Sequence, residues 1–261
     1  MFKHHEESIQ KLSDYYSGNP SVLAVILVGS VAKGTARPNS DLDAWVIVTD
    51  NYYAELEKEF RTYEVITGHS TYEGGYFDII YNTKEMLEAA AIRGAEAYRA
   101  AFVNARLIYC ADNEIEEILA KVAIFQEKEK DRKMLSFYSN FVVNYNYYWR
   151  VSKDDIFLRA RTATNIVLFG FRLLLQNSNE LYPGHKPVMG VIKKLANKPD
   201  NIVCKAEKLL STMDDDAAKD FFDSIINFIN FDTPSNAEVG VRYTLDNALW
   251  WYKERVNVAE L

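Results

Sequence analysis

The sequence predicts an α+β protein, with a mixed sheet and its helices over residues 1–112 and an all-helical bundle over residues 113–261. Two observations predict this. Up to Asp112, apolar runs of strand length alternate with segments of helical period, whereas beyond it the strand signals fade and helix-period segments follow one another. The composition fits a folded chain: 261 residues, 48% hydrophobic and 26% charged, with only 11 Gly and 6 Pro. A chain of this length buries a core without disulfides or metal clamps.

The elements follow in order. EESIQKLSDYYSG sets Ile9, Leu12 and Tyr16 on one helix face and stops at Gly18 and Pro20. Leu23 to Val28 is a β-branched run ending in Gly29, the pattern of a buried strand, and Asp43 to Thr49 is a second strand. NYYAELEKEFRTY has helical spacing, and YEVITGH and GGYFDIIY form a third and fourth strand around a turn. KEMLEAAAIRGAEAYRAAF is helical by composition, and Ala105 to Cys110 is a short fifth strand. Helices are then expected over Glu114 to Gln126, Asp131 to Val151, Ile156 to Gln176, Val188 to Ala196, Ile202 to Thr212, Ala217 to Asn230 and Ala237 to Val256. The composition changes near Ala111 to Glu114, with no Gly/Ser/Pro linker, which divides the chain into domains 1–112 and 113–261.

Several classes are disfavoured. A net charge of −7 argues against general nucleic-acid binding, because neutralising phosphates takes surplus Lys and Arg. The two cysteines, Cys110 and Cys204, are far apart and have no histidine cluster, so they form neither a disulfide framework nor a zinc site. No apolar run approaches the roughly 18 residues of a spanning helix, and MFKHHEESIQ lacks the apolar stretch of a leader. The expectation is a cytoplasmic protein with no membrane partner.

Chemistry concentrates in LVGSVAKGTARPNSDLDAWVIV, residues 27–48. Gly29 lets a phosphate approach the backbone, and Ser30 offers a hydroxyl at the start of a short helix whose free N–H groups favour an anion. Asp41 and Asp43, two apart on a strand, direct both carboxylates to one face, and paired carboxylates suit Mg²⁺ held together with substrate phosphates. Asp78 stands between Phe77 and Ile79 in an otherwise apolar strand, where a buried carboxylate needs a partner such as a metal.

The ordered set of Gly29-Ser30, a ten-residue gap, Asp41-x-Asp43 and a later strand Asp78 resembles the nucleotidyltransferase superfamily related to DNA polymerase β, especially its bacterial aminoglycoside and lincosamide nucleotidyltransferase branch. The resemblance covers about residues 20–110. It implies a catalytic α/β domain with a C-terminal helical bundle completing a substrate cleft. It also implies Gly29, Ser30, Arg37 and Ser40 as nucleotide-binding residues, and Asp41, Asp43 and Asp78 as catalytic metal ligands. The cofactor implied is Mg²⁺, with two ions, and the substrate is ATP or another NTP. The reaction implied is transfer of a nucleoside monophosphate, AMP from ATP, to a hydroxyl of a small molecule in the interdomain cleft, with antibiotics among the acceptors. Two rivals are a non-catalytic nucleotide or ligand sensor, which the intact carboxylates oppose, and an antitoxin-like protein-modifying enzyme, which chain length opposes.

In the helical half, Phe137, Phe141, Tyr145 and Tyr148 recur on one face, spacing that favours a bundle core over a stacking wall. Tyr138, Asn144 and Tyr147 lie off that stripe, placed to line a cleft. Arg159, Arg161 and Arg172 sit on an otherwise apolar helix. Internal salt bridges or a solvated face are preferred there to triphosphate contact. LYPGHKPV carries His185 and Lys186 in a loop whose plainer role is to join two helices.

Overall fold

The computed structural model describes residues 2–253 and Val258. The chain forms two compact units, one of residues 1–94 and 98–124, the other of residues 95–97 and 125–261. No helix among the described residues is long and apolar enough to cross a membrane.

In the first unit α1 (Lys3–Ser17) precedes a five-stranded sheet made of β1 (Val22–Leu27), β2 (Leu42–Val48), β3 (Tyr63–Thr67), β4 (Tyr76–Thr83) and β5 (Arg106–Cys110). The order is β3-β4-β2-β1-β5. β2 and β4 run parallel, and the other pairs are antiparallel. Side chains alternate across the sheet, so each strand feeds two cores. Leu42, Ala44 and Val46 of β2 join Phe77 and Ile79 of β4 beneath Ile9, Leu12 and Tyr16 of α1. On the other face Ala24, Ile26 and Ile47 pack with Leu87, Ala90 and Phe102. That cluster belongs to α4 (Lys84–Arg93), α5 (Glu96–Ala101) and α6 (Glu114–Val122), with Phe102 just past α5. The short α2 (Gly29–Ala32) and α3 (Asp50–Lys58) follow β1 and β2.

The single helix expected from Lys84 to Phe102 is two, because the chain turns extended at Gly94 (φ −63°, ψ 142°) and ends the first ladder. The first unit also includes α6, which the sequence places at the start of the bundle. Its Ile115, Ile118 and Val122 are buried against Leu87 and Ala90 of α4.

The second unit contains α7 (Lys130–Val143), a π-helical turn over Asn144–Tyr148, α8 (Trp149–Val151), α9 (Ile156–Asn177), α10 (Val188–Lys194), α11 (Ile202–Thr212), α12 (Asp215–Ile226) and α13 (Asn236–Asn247). The expected helix Asp131 to Val151 is thus interrupted by the wider turn. The one expected from Ala237 to Val256 ends at Asn247, before a 3-10 turn at Trp250–Lys253, and residues 254–256 lie outside the described residues. Gly170 permits the tight crossing of α9, since a Cβ there would stand 2.7 Å from Phe221 and 3.2 Å from Phe141. Phe137 and Phe141 are buried as the stripe predicts, and Tyr145 stacks on Phe222 at 3.9 Å between centroids. Tyr138 is buried against Phe231 and Tyr147 is exposed.

Charge is buried here too. Glu96, 1% exposed, accepts from Lys133 Nζ (2.9 Å), Gln176 Nε2 (2.5 Å) and the backbone N–H of Tyr182 (3.0 Å). Arg172, fully buried, lies 3.5 Å from the same carboxylate, with its guanidinium 4.3 Å from the Phe137 and Tyr182 ring centroids. Glu96→Gln would leave two buried cations facing a neutral amide. It is expected to lower the stability of the second unit by about 3 kcal/mol, read as a fall in the urea midpoint.

Candidate active site

β2 and β4 pair in parallel with Asp43 directly opposite Asp78. Both lie on the sheet face that carries Trp45, and Trp45 packs against Tyr98 (4.6 Å) and Phe102 (4.7 Å). The aromatic cover therefore lies two residues beyond Asp43, and both carboxylates keep partial exposure at the strand ends. Asp41 precedes the strand, so strand alternation is not what aims it. A turn places it instead: Arg37 N–H donates to Ser40 Oγ (2.9 Å), Ser40 N–H donates to the Arg37 carbonyl (3.0 Å), and Tyr72 Oη donates to the Ser40 carbonyl (2.5 Å). One carboxylate oxygen from each of Asp41, Asp43 and Asp78 lies within 4.8 Å of the other two.

Gly29 completes this corner. Val28 N–H donates to the Asp43 carbonyl (2.9 Å), which draws the β1 end beneath Asp43. A Cβ at Gly29 would stand 1.9 Å from Asp43 Oδ2, and the residue has φ +68°. Contact and conformation thus both demand glycine. Ser30 follows it, half-buried in α2, and its carbonyl accepts from Thr35 N–H (2.9 Å).

The crowded charge reaches its neighbours. Hydrogen bonding to Asp41, reinforced by that carboxylate's charge, pushes the Tyr76 phenol up to about 12. Desolvation, then the charge and hydrogen bond of Asp78, raise Tyr63, while burial and then Asp41 raise Tyr72. Burial lowers the Lys33 ammonium, against the pull of Asp43. Its Nζ donates to the Ala100 carbonyl (3.4 Å). Sequence reasoning missed Tyr63 and Tyr76. The signal for Tyr76 was its place two residues before Asp78 on one strand. Tyr63 reaches the site only through the β3–β4 pairing, which sets Val65 opposite Asp78.

Three carboxylates with no nitrogen or sulfur donor among them form a hard donor set, suited to Mg²⁺ rather than to zinc or copper. The arrangement can hold a divalent cation beside a backbone open to a phosphate. Of the three arginines, Arg159 lies 3.2 Å from the Trp149 ring centroid and donates to Asp215 Oδ1 (2.7 Å), and Arg172 serves Glu96. Both are internal pairs, as the plainer reading holds. Arg161 is exposed. In the 181–188 loop Tyr182 Oη and His185 Nδ1 are 2.6 Å apart.

Gly29→Ala is expected to keep the fold, at a cost of about 1–3 kcal/mol for the left-handed backbone. Displacing Asp43 should lower Mn²⁺ affinity by about tenfold or more, measured by electron paramagnetic resonance of free ion.

A sequence model of the nucleotidyltransferase domain matches residues 6–144, more than half of the chain. Among solved structures, similarity is found to a nucleotidyltransferase-like protein from Exiguobacterium sibiricum. It has 10% identity and a TM-score of 0.44, over 96% of this chain and 79% of that one. Another similar structure is a spectinomycin adenyltransferase from Enterococcus faecialis, solved with ATP and spectinomycin. It has 13% identity and a TM-score of 0.36, over 92% of this chain and 96% of that one. No curated protein matches this chain.

Proposed function

Because this chain belongs to the nucleotidyltransferase domain family, we propose that it transfers a nucleoside monophosphate, AMP from ATP, to a hydroxyl of a small molecule with Mg²⁺ and releases pyrophosphate. The observation that carries this reading is the convergence of Asp41, Asp43 and Asp78 beside Gly29. Asp41 and Asp43 would hold the nucleotide-associated Mg²⁺, and Asp78 would complete the site for a second ion. Such ions supply Lewis-acid stabilisation of the pyrophosphate charge and make the acceptor hydroxyl more acidic.

The chain's own groups do the rest. The backbone at Gly29, free of a side chain, admits the β- and γ-phosphates to the first-turn N–H groups of α2, and Ser30 Oγ adds a donor. Arg37 contributes positive charge from its turn. The acceptor oxygen forms a bond to the α-phosphorus while the bond to pyrophosphate breaks in line, and the acceptor's proton passes to an Asp78 oxygen. Catalysis is positioning and charge neutralisation. The net charge of −7 favours a small acceptor over a polynucleotide.

The reading is tested by incubating the protein with Mg²⁺, each of the four NTPs, and a panel of aminoglycosides, lincosamides and metabolite extracts. A nucleotidyl mass gain on one acceptor supports it, and release of pyrophosphate without any adduct counts against it. Asp43→Asn keeps the side-chain shape while removing one charge from the donor set. Transfer should fall by about a thousandfold or more, with the melting temperature held or slightly raised as carboxylate repulsion is relieved. ATP should raise the melting temperature of the unmutated protein only with Mg²⁺ present. A destabilised but active Asp43→Asn enzyme, or equal ATP shifts in EDTA, would defeat the metal assignment.

A further inference from the structure

The helical unit holds a cavity of about 290 Å³ that the transfer chemistry does not use, near the lower end of the size of small-molecule sites. Its walls come from the C-terminal part of α7, the π-helical turn, α9 from Phe157 to Phe169, α13 and Val258. π-Turns are rare and gather at functional sites, and this one carries Asn144 and Tyr148 into the lining. The carboxamides are pre-set. Asn144, 4% exposed, donates from Nδ2 to the Asn140 carbonyl (2.8 Å) and accepts at Oδ1 from Asn165 Nδ2 (3.1 Å). Each amide has a second N–H and further lone pairs, so both keep hydrogen-bonding capacity.

The rings of Tyr148 and Tyr243 lie 6.2 Å apart at 42° in the same wall, and Phe157, 72% exposed, joins the lining. Burial, then a hydrogen bond with Tyr148, raises the Tyr243 phenol. Arg161 lines the cavity as well, and no acidic side chain among the described residues does. Among the described residues no carboxylate lies within ion-pair distance of Arg161, in contrast to Arg159 and Arg172 on the same helix. A guanidinium with no anion among the described residues, beside flat aromatic faces and amides, matches a flat ring carrying a negative group. Among the described residues the same lining gives a cation no carboxylate to pair with.

We propose that this cavity is a binding site for a small ring-bearing organic anion, in which Arg161 takes the carboxylate or phosphate while Tyr148, Tyr243 and Phe157 flank the ring and Asn144 and Asn165 meet its polar edge. Every residue in the site belongs to the second unit, and the proposal uses none of Gly29, Asp41, Asp43 and Asp78.

The test uses the full chain in EDTA and calorimetric titration with two matched pairs of probes, salicylate against salicylamide and AMP against adenosine. The first pair presents a carboxylate and the second a phosphate, so the arms distinguish the two sources of the anion. At least one anion should bind tenfold or more tighter than its neutral partner. Arg161→Gln, at an exposed position, should erase that preference while the melting temperature holds. Asp43→Asn should leave it intact. Equal binding of anion and neutral partner, no binding of any probe, a preference that survives Arg161→Gln, or one lost in Asp43→Asn would each overturn the assignment.

Discussion

The parallel pairing of β2 with β4 is the constraint on which the functional part of this molecule depends. It sets Asp43 and Asp78 side by side, and like charges so close repel one another. Apolar burial elsewhere on the two strands holds the pairing, with Leu42, Ala44, Val46, Phe77 and Ile79 closed beneath α1 on the opposite face. A slip of β4 by one residue against β2 would turn Asp78 into that core and part it from Asp43. Gly29 is the second half of the constraint, because only a residue without Cβ lets the β1 end pass beneath the Asp43 carboxylate.

Charge is handled in opposite ways in the two units. In the first, three carboxylates gather at partly exposed strand ends, and the surrounding phenols and amine register their field. In the second, Glu96 is surrounded by donors and by two cations at full burial, an arrangement that specifies packing rather than chemistry. Its partners Lys133 and Gln176 sit near opposite ends of their helices, as antiparallel neighbours require. Arg161 faces no carboxylate among the described residues, and this sets its cavity apart from the bundle core around it.

The π-helical turn shows how a small change of pitch redirects side chains. The stripe Phe137, Phe141, Tyr145, Tyr148 keeps a helical period in sequence, yet only its first two members are fully buried. One wide turn carries Tyr148 out of the core and into the cavity wall beside Asn144. Asn144 was legible as a cleft residue because a carboxamide off an aromatic stripe needs polar company. Tyr138 was not, because its ring finds Phe231, which is distant in sequence.

The sequence by itself determined the alternation of strands and helices before Asp112, the helical remainder, and the family to which Gly29-Ser30 and Asp41-x-Asp43 belong. These are local facts, written in hydrophobic period and in the spacing of a short motif. Tertiary structure alone decided that Asp41 is aimed by the Arg37–Ser40 turn rather than by a strand, and that Tyr63 and Tyr76 stand in the field of the carboxylates. It likewise decided that the helix from Lys84 breaks at Gly94, that Glu96 anchors buried cations, and that Arg161 opens on a cavity while Arg159 and Arg172 pair internally. The physical reason is the same in each case. Period and propensity act over a few residues, whereas strand register, burial of charge and the shape of a cavity arise between segments that meet only when the chain is folded.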